Sequence, residues 1–422
     1  IILIVQKGKC SMKSASEYQK VCVIGLGYIG LPTASLLATK GFEVVGVDIS
    51  QKVIDTINQG EIHIVEPDLD ILVKSAVHSG NLSASLEPCA ADVFIIAVPT
   101  PFKDGGPDHI SGKKPDLSYI DSATKKISPY IKPGNLVILE STSPVGTTDE
   151  VVAKILRQAG HAIGEDVYVS HCPERVLPGR ILIELVENDR VVGGINEEST
   201  KVTVNFYERF VRGSVLATTA KTAEMVKLTE NSSRDVQIAF ANELSMICET
   251  ENIDTWEVIE LANRHPRVNI LNPGPGVGGH CIAVDPWFIV DRSPEVSKLI
   301  RTAREVNDAK PEWVINRVVH CANKFKDPII ACLGLAFKAD VDDLRESPAF
   351  NIVKEIQRKE IARLLVCEPN LDDHCEFDLY ELDDVIERAD IILVLVDHKI
   401  FSQCKASDLR EKVIIDTRGI IR

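Results

Sequence analysis

The sequence lacks a long apolar run, an excess of positive charge and any regular spacing of metal-binding residues. No apolar run approaches the roughly 20 residues that a membrane-spanning helix needs, so we expect no membrane span or membrane partner. The net charge of −15 over 422 residues argues against general affinity for nucleic acid or anionic lipid. It does not exclude a nucleotide, because backbone amides and a few cations can bind phosphate inside an acidic protein.

Disulfide frameworks and metal sites are also unsupported by the cysteine pattern. The 11 cysteines are odd in number and irregularly spaced, so we expect reduced thiols in a cytoplasmic protein. His-Cys pairs occur at 171–172, 280–281 and 374–375. No CxxC or HxxxH spacing accompanies them, and the sequence therefore predicts no metal.

The N-terminal stretch IILIVQKGKCS shows no signal-peptide cleavage pattern. We expect residues 1–19 to form an extension that is disordered or partly non-native. Met12 would be the natural start and residues 1–11 additional sequence. A disordered native tail is the alternative.

Apolar strands alternate with helical segments in two parts of the chain. Strands such as VCVIG, FEVVGVD and ADVFIIAV occur early, and PIIACLG, ARLLVCE and ADIILVLVD occur late. Between them, 222–253 has the spacing of a long helix. This layout predicts an α/β fold with two Rossmann-like, doubly wound parallel-sheet domains joined by a helical central segment. The predicted domains are 20–209, 210–310 and 311–422.

The turn GLGYIG after the first strand has the G-x-G-x-x-G pattern of dinucleotide-binding domains. Gly25, Gly27 and Gly30 would allow the tight turn, the approach of the pyrophosphate and the packing of the helix. Asp48 ends the second strand at about the expected spacing of twenty residues. An acid there accepts ribose hydroxyls and repels a 2′-phosphate, so we predict NAD as the cofactor. The alternative is a glycine turn without a cofactor.

The late α/β part has no complete fingerprint. Its first turn, LGLAFK, has one glycine fewer and a bulky Phe337. We expect this turn to suit a different nucleotide, or none.

A second glycine-rich stretch, GPGVGGHCIAVDPWF, presents Cys281, and Asp285 follows four residues later. A reachable thiol near a nicotinamide suggests aldehyde oxidation through a thioester, with the carboxylate activating water. The alternative is an inert, buried cysteine in a tight loop. Lys227, Asn231 and Asp235 recur at helical spacing and could line a cleft or form a solvated face.

Two further strands end in polar residues. Glu174 follows VYVSHCP, and Glu140 and Thr142 follow NLVIL. The carboxyl ends of strands border the ligand crevice in open α/β sheets. The alternative for Glu174 is a loop carboxylate paired with Arg175.

Together these motifs resemble the UDP-glucose/GDP-mannose 6-dehydrogenase family. GLGYIGLPTA, VPTP, ESTSPVGT, CPER, KLTEN, GPGVGGHC and GLAFKADVDDLRESP match in order over essentially residues 20–422. The resemblance implies an NAD-binding domain, a central helix at a homodimer interface and a C-terminal domain that holds a UDP-sugar. The implied reaction is a four-electron oxidation of the 6-hydroxymethyl group with two NAD. A non-catalytic nucleotide-sugar sensor is the alternative from another class.

The resemblance also implies residue roles. Cys281 is the implied nucleophile, Lys227 and Asn231 stabilise the oxyanion, Asp285 and Thr142 hold water, and Glu174 is the base. Cofactor contacts fall on Gly25, Gly27, Tyr28, Ile29, Gly30, Asp48, Pro99, Thr100, Thr142 and Arg345. Substrate contacts fall on Glu174, Arg175, Lys227, Asn231, His265, Arg267, Gly278, Phe337, Lys338 and Arg418, with Arg267 reaching across the dimer.

One departure concerns the substrate. Members acting on UDP-glucose usually have a lysine just before the aspartate, where this sequence has Val284. ANRHPRVNILNPGPGVGGHCIAVDPWFIV and EIHIVEPDL resemble members that oxidise UDP-N-acetyl-D-mannosamine. UDP-N-acetyl-D-glucosamine is the alternative, and UDP-glucose is disfavoured. The family implies synthesis of a bacterial surface polysaccharide.

Overall fold

The chain divides into two units, the first ending at Leu228 and the second beginning at Thr229. The computed structural model describes residues 18–103, 113–177, 179–279, 281–371, 376–404, 409 and 411–421. Residues 1–17 of the predicted extension 1–19 lie outside the described residues, and so does the pair 374–375. Tyr18 is fully buried and its hydroxyl donates to the carbonyl oxygen of Gly134 at 2.9 Å, so it belongs to the folded first unit.

The first unit alternates strands and helices. In chain order these are β1 Lys20–Ile24, α1 Gly30–Thr39, β2 Glu43–Val47, α2 Gln51–Asn58, α3 Leu69–His78, β3 Leu82–Ser85, β4 Val93–Ile96, α4 Ser118–Ile127, β5 Leu136–Leu139, α5 Lys154–Gln158, β6 Tyr168–His171, α6 Ile181–Glu187, β7 Arg190–Gly194, α7 Glu197–Tyr207 and β8 Val215–Thr219. A π-helical turn, Thr148–Ala153, precedes α5. The long helix α8, Ala220–Thr250, contains the boundary between the units.

The strands of the first unit form one sheet in the order β3-β2-β1-β4-β5-β6-β7-β8. Strands β1 to β6 are parallel, β7 is antiparallel to β6, and β8 is parallel to β7. The strand order reverses between β1 and β4, and the ligand crevice of a doubly wound sheet lies at this point.

Burial on both faces explains why the central strands read as continuous apolar runs. Val21 and Val23 pack into the core on one face of the sheet, whereas Cys22 and Ile24 pack into the core on the other. This alternation is the two-residue period of a strand. Helices cover both faces.

The second unit continues from α8 with α9 Thr255–Ala262, α10 Asp285–Arg292, α11 Lys298–Ala322, β9 Ile329–Leu333, α12 Pro348–Arg358, β10 Arg363–Cys367, α13 Leu382–Arg388, β11 Ile391–Val394 and β12 Val413–Asp416. Its parallel sheet has the order β10-β9-β11-β12. Ser347 caps α12 by accepting a hydrogen bond from the amide of Phe350.

The predicted fold class is therefore confirmed: the chain forms a mostly parallel eight-stranded sheet, a helical central segment and a parallel four-stranded sheet, in this order along the sequence. The three predicted domain ranges stay a prediction, and residue 311, the start of the third, falls inside α11. In the described parts of the chain, no helix combines the length and apolarity needed to cross a membrane.

Candidate active site

The first glycine turn has the geometry that a dinucleotide site requires. Gly25 has φ of 93°, and a Cβ atom there would lie 2.5 Å from the carbonyl oxygen of Ala97. A Cβ atom at Gly30 would lie 1.8 Å from the carbonyl oxygen of Gly25. By contrast, apart from Gly27 itself and its two chain neighbours, no described protein atom lies within 4 Å of the position of a Cβ atom at Gly27. The fold itself thus requires Gly25 and Gly30, and Gly27 leaves open space of the kind that a pyrophosphate would need.

Asp48 follows β2 and closes this turn. One oxygen of its carboxylate accepts the amide of Leu26 at 3.1 Å and the other accepts the amide of Ser50 at 3.0 Å. The side chain is half-buried, so the carboxylate retains lone pairs that ribose hydroxyls can use. Tyr28 is half-buried against the core, and Ile29 precedes the first turn of α1.

The ends of β4 and β5 bring together two residues predicted to bind the cofactor. The hydroxyl of Thr100 donates to the carbonyl oxygen of Thr142 at 2.7 Å. Pro99, just before Thr100, is exposed.

Glu224, on the first turns of α8, anchors the loop that follows Thr142. It accepts the amides of Gly146 at 2.5 Å and of Thr148 at 2.8 Å. Lys227 is half-buried and comes three residues later on the same helix. Asn231 follows one further turn on. The predicted row of polar residues on α8 therefore exists, but its third member, Asp235, is fully buried and bonded to Arg304 at 2.5 Å. Asp235 is neither solvated nor in a cleft.

Glu174 is buried in an ion pair that the sequence interpretation missed. Its carboxylate accepts the guanidinium of Arg190 at 2.5 Å and the backbone amide of Arg175 at 2.7 Å. The side chain of Arg175 donates to the carbonyl oxygen of Asp189. The alternative pairing of Glu174 with Arg175 stays a prediction, and the backbone amide of Arg175 is one contact between these two residues. A single arginine in the buried strand RVVGG was the available signal, because a buried charge needs a partner.

Glu140 is a second buried carboxyl beside this pair. It accepts the hydroxyl of Tyr207 at 2.6 Å. Burial raises its pKa to about 7, although the positive charge of Arg190 opposes this. Burial also raises the pKa of Cys172 to about 12, so that cysteine is not a nucleophile near neutral pH.

In the second unit, the predicted nucleophile and its carboxylate share one turn. The amide of Asp285 donates to the carbonyl oxygen of Cys281 at 2.8 Å, and α10 begins at Asp285. Asn231 donates from its side-chain amide to the carboxylate of Asp285 at 2.6 Å. Cys281 is half-buried and Asp285 is buried. The structure thus brings together three predicted catalytic residues.

The glycines before Cys281 pack closely against other parts of the protein, and the backbone contact at Gly278 leaves no room for a side chain. A Cβ atom at Gly278 would lie 2.7 Å from the carbonyl oxygen of Glu346 and 2.9 Å from Cβ of Phe337. One at Gly274 would lie 2.6 Å from the guanidinium of Arg418. The loop therefore packs closely on two segments predicted to bind substrate, which the sequence interpretation did not foresee.

The remaining predicted residues of this unit lie at its surface. Arg418 is half-buried and bonded to Asp397 at 2.7 Å. Arg345 is exposed and forms an ion pair with Asp343 at 2.5 Å. Lys338, His265 and Arg267 are exposed, and the backbone amide of Arg267 donates to the imidazole of His265 at 3.3 Å.

Within the described residues, no cluster of three or more histidine, cysteine or acidic side chains could hold a metal ion.

Known proteins match both units. Profiles of the UDP-glucose/GDP-mannose dehydrogenase family match the NAD-binding domain at residues 19–211, the central domain at 221–309 and the UDP-binding domain at 331–422. An NDP-N-acetyl-D-galactosaminuronic acid dehydrogenase of Ralstonia solanacearum is 55% identical, with 96% of each chain covered. A UDP-N-acetyl-D-mannosamine dehydrogenase of Campylobacter jejuni is 52% identical, covering 93% of this chain and 98% of the relative.

A solved structure also matches along most of its length. The UDP-N-acetyl-mannosamine dehydrogenase of S. aureus is 43% identical, with a TM-score of 0.87 and 96% of each chain covered. The predicted resemblance, the NAD cofactor and the enzyme class are thereby confirmed. The chain belongs to the UDP-glucose/GDP-mannose dehydrogenase family and is an NAD-dependent UDP-sugar dehydrogenase, an oxidoreductase.

Proposed function

We propose that the chain oxidises the 6-hydroxymethyl group of UDP-N-acetyl-D-mannosamine to a carboxylate. The proposal rests on the turn in which the half-buried Cys281 precedes Asp285, whose carboxylate is held by Asn231 at 2.6 Å. A thiol beside a fixed carboxylate suits thioester formation and hydrolysis, which a two-electron alcohol oxidation does not need.

The proposed chemistry begins with oxidation of the alcohol at carbon 6 to an aldehyde. The sulfur of Cys281 adds to the aldehyde carbon, and the oxygen takes up a proton to give a thiohemiacetal. Loss of a hydride and a proton gives a thioester. Water then breaks the carbon–sulfur bond, which releases the carboxylate and restores the thiol. NAD, when bound, accepts one hydride in each oxidation, so two NADH form per sugar.

The other predicted residues supply charge and proton transfer in this proposal. Lys227 and Asn231 stabilise the oxyanion as its charge develops. Asp285 and Thr142 hold the water. Glu174 is the base for hydrolysis, and its bond to Arg190 fixes the orientation of its carboxylate.

The N-acetyl group is supported by Val284 and by the relatives. Val284 is half-buried just before α10, where it offers the substrate an uncharged wall. The mannosamine configuration is favoured by the Campylobacter relative at 52% identity. The Ralstonia relative at 55% identity supports a second candidate, an N-acetylgalactosamine-type NDP-sugar. UDP-N-acetyl-D-glucosamine is the third.

We also propose a homodimer formed through the C-terminal part of α8 and through α9. Phe240 and Ile247 are seven residues apart on α8 and are 56% and 53% exposed, and Leu261 on α9 is 63% exposed. Apolar side chains of this size on neighbouring helices are typical of an interface. Arg267, in the segment after α9, would then reach the partner's substrate. A monomer in light scattering would contradict this. The cytoplasmic location and the role in surface polysaccharide synthesis stay predictions.

The test compares Cys281→Ser with Cys321→Ser, a half-buried cysteine on α11 without a proposed role. We expect Cys281→Ser to abolish formation of the acid while UDP-sugar binding persists, and Cys321→Ser to retain activity. The wild type should form two NADH per molecule of UDP-N-acetyl-D-mannosamine.

Two results would contradict the proposal. Unchanged NADH formation by Cys281→Ser would exclude the covalent mechanism. Turnover of the galactosamine or glucosamine nucleotide, but not of the mannosamine one, would exclude the proposed substrate.

A further inference from the structure

A buried pair of ionisable residues, Glu368 and His398, lies beside the turn that follows β9 in the second sheet. Glu368 directly follows β10, and His398 lies four residues after the end of β11. Their side chains are 0% and 1% exposed, and Nε2 of His398 lies 3.1 Å from Oε2 of Glu368. The established activity assigns no role to either residue.

Glu368 holds one end of the segment 335–340. The same carboxylate oxygen accepts the amides of Leu335 at 2.7 Å and Ala336 at 3.0 Å. The other oxygen accepts the amide of Asn370 at 3.1 Å. Both oxygens of the carboxylate are thus used to fix backbone.

His398 holds the other end of that segment. Its Nδ1 atom accepts the backbone amide of Asp340 at 2.9 Å and the side-chain amide of Asn370 at 3.0 Å. Because two donors face Nδ1, the ring proton lies on Nε2, and Nε2 donates to Glu368. One coupled pair therefore fixes both ends of 335–340.

The braced segment carries Phe337 and Lys338. A Cβ atom at Gly279 would lie 3.1 Å from the ring of Phe337, so this ring supports the glycine loop that ends at Cys281. Movement of the segment would displace both the predicted UDP-sugar contacts and that loop.

We propose that Glu368 and His398 are positioning residues that fix Phe337 and Lys338 for binding of the UDP moiety. This rests on the proposed function, in which Phe337 and Lys338 contact the UDP-sugar. A hydrogen-bonded pair is suited to the task because buried groups that are fully satisfied hold one conformation.

The test measures binding of UDP by calorimetry and the KM values for UDP-sugar and NAD. His398→Ala should weaken UDP binding about tenfold, the scale expected from lost hydrogen bonds. It should raise the KM for the UDP-sugar similarly and leave the KM for NAD within about twofold. His398→Asn can still accept the amide of Asp340, and His398→Gln can still reach Glu368, so each should restore part of the affinity.

Val385→Ala, in the core on α13, is the stability control. Val385→Ala should lower the Tm without changing UDP binding. If His398 only stabilised the fold, His398→Ala would show this same pattern. Wild-type UDP binding by His398→Ala would overturn the proposal.

Lys338→Ala separates this proposal from the proposed function. If Lys338→Ala weakens UDP binding and His398→Ala does not, the positioning role of Glu368 and His398 is wrong, and the contact of Lys338 with the substrate is supported. If only His398→Ala weakens UDP binding, the proposed contact of Lys338 with the substrate is wrong, and the pair positions Phe337 alone.

Discussion

The turns after the first strand of each sheet have similar backbone geometry but different side chains around them. Gly25 and Gly334 both have φ of 93°. The amide of Gly25 donates to the carbonyl oxygen of Val47 at 2.7 Å, and that of Gly334 to Cys367 at 2.9 Å. An acidic residue follows each of these two acceptors: Asp48 follows Val47, and Glu368 follows Cys367.

The acids have different surroundings. Asp48 is half-buried and keeps accepting capacity toward solvent, whereas Glu368 is buried and bonded to His398. Thr100 lies four residues after the end of β4, as His398 does after β11, but Thr100 bonds to Thr142 instead. In the second sheet a histidine side chain therefore bonds to the acid at the end of the second strand of the turn, at 3.1 Å. Two copies of one fold need not bind the same ligand, because strand-end side chains decide it.

The largest expected effect concerns the first glycine of each turn. Gly25→Ala and Gly334→Ala should each destabilise the protein by about 4 kcal/mol, because a positive φ adds to a steric clash. The clashing atoms would lie 2.5 Å from the Ala97 oxygen and 2.4 Å from Cβ of Val396. Gly27→Ala is the control, since it meets no described atom; it should keep stability and weaken NAD binding. Urea unfolding measures the first effect and fluorescence titration with NAD the second. Equal stability losses at Gly25 and Gly27 would contradict this account.

The second prediction contrasts two buried carboxyls. Burial raises the pKa of Glu140 to about 7. Burial also acts on Glu368, but hydrogen bonds from His398 and two amides outweigh it and lower that pKa. For Glu140 the unfolded chain binds fewer protons between about pH 4.5 and 7, so the free energy of unfolding falls by about 3 kcal/mol as the pH rises through this window. For Glu368 the stabilisation is instead lost as the pH falls through its lowered pKa.

The measurement for Glu140 is urea unfolding at pH 5 and pH 8. Glu140→Gln keeps an acceptor for Tyr207, so its stability relative to the wild type should improve by about 3 kcal/mol between these values. Glu61→Gln, at an exposed site, controls for the loss of a negative charge. Parallel pH curves for wild type and Glu140→Gln would refute the assignment.

The smallest effect separates the two acids by ligand. Asp48→Ala should raise the KM for NAD about thirtyfold, which corresponds to about 2 kcal/mol for hydrogen bonds to a charged acceptor. Glu368→Ala should leave the KM for NAD unchanged, because the buried Glu368 carboxylate bonds to His398 and is not expected to contact NAD. Steady-state kinetics with varied NAD tests both. A rise in the KM for NAD in Glu368→Ala would contradict the assignment of NAD binding to the turn with Asp48 alone.

Local patterns predicted much of this architecture. Apolar runs located β1, β4, β9 and β11, because strands buried on both faces must be apolar along their length. The glycine fingerprint and Asp48 predicted the NAD turn, since its backbone geometry depends on neighbours in the sequence. Asp285 and Asn231 were both named, but nothing in the sequence gave their 2.6 Å bond.

Partners distant in the chain escaped the sequence. Glu174 and Arg190 are separated by a helix, and Arg304 pairs with an aspartate 69 residues away. Such pairs form because a buried charge must find a partner, and packing selects which one.

By itself the sequence determined two α/β sheets, the NAD turn and the cysteine loop, because strand burial, φ-restricted glycines and helical spacing are local constraints. Only the tertiary structure decided that the glycines before Cys281 fit against Glu346, Phe337 and Arg418, and that His398 closes the second turn. Those outcomes depend on which surfaces meet when the chain folds, and that information is spread over residues far apart in the sequence.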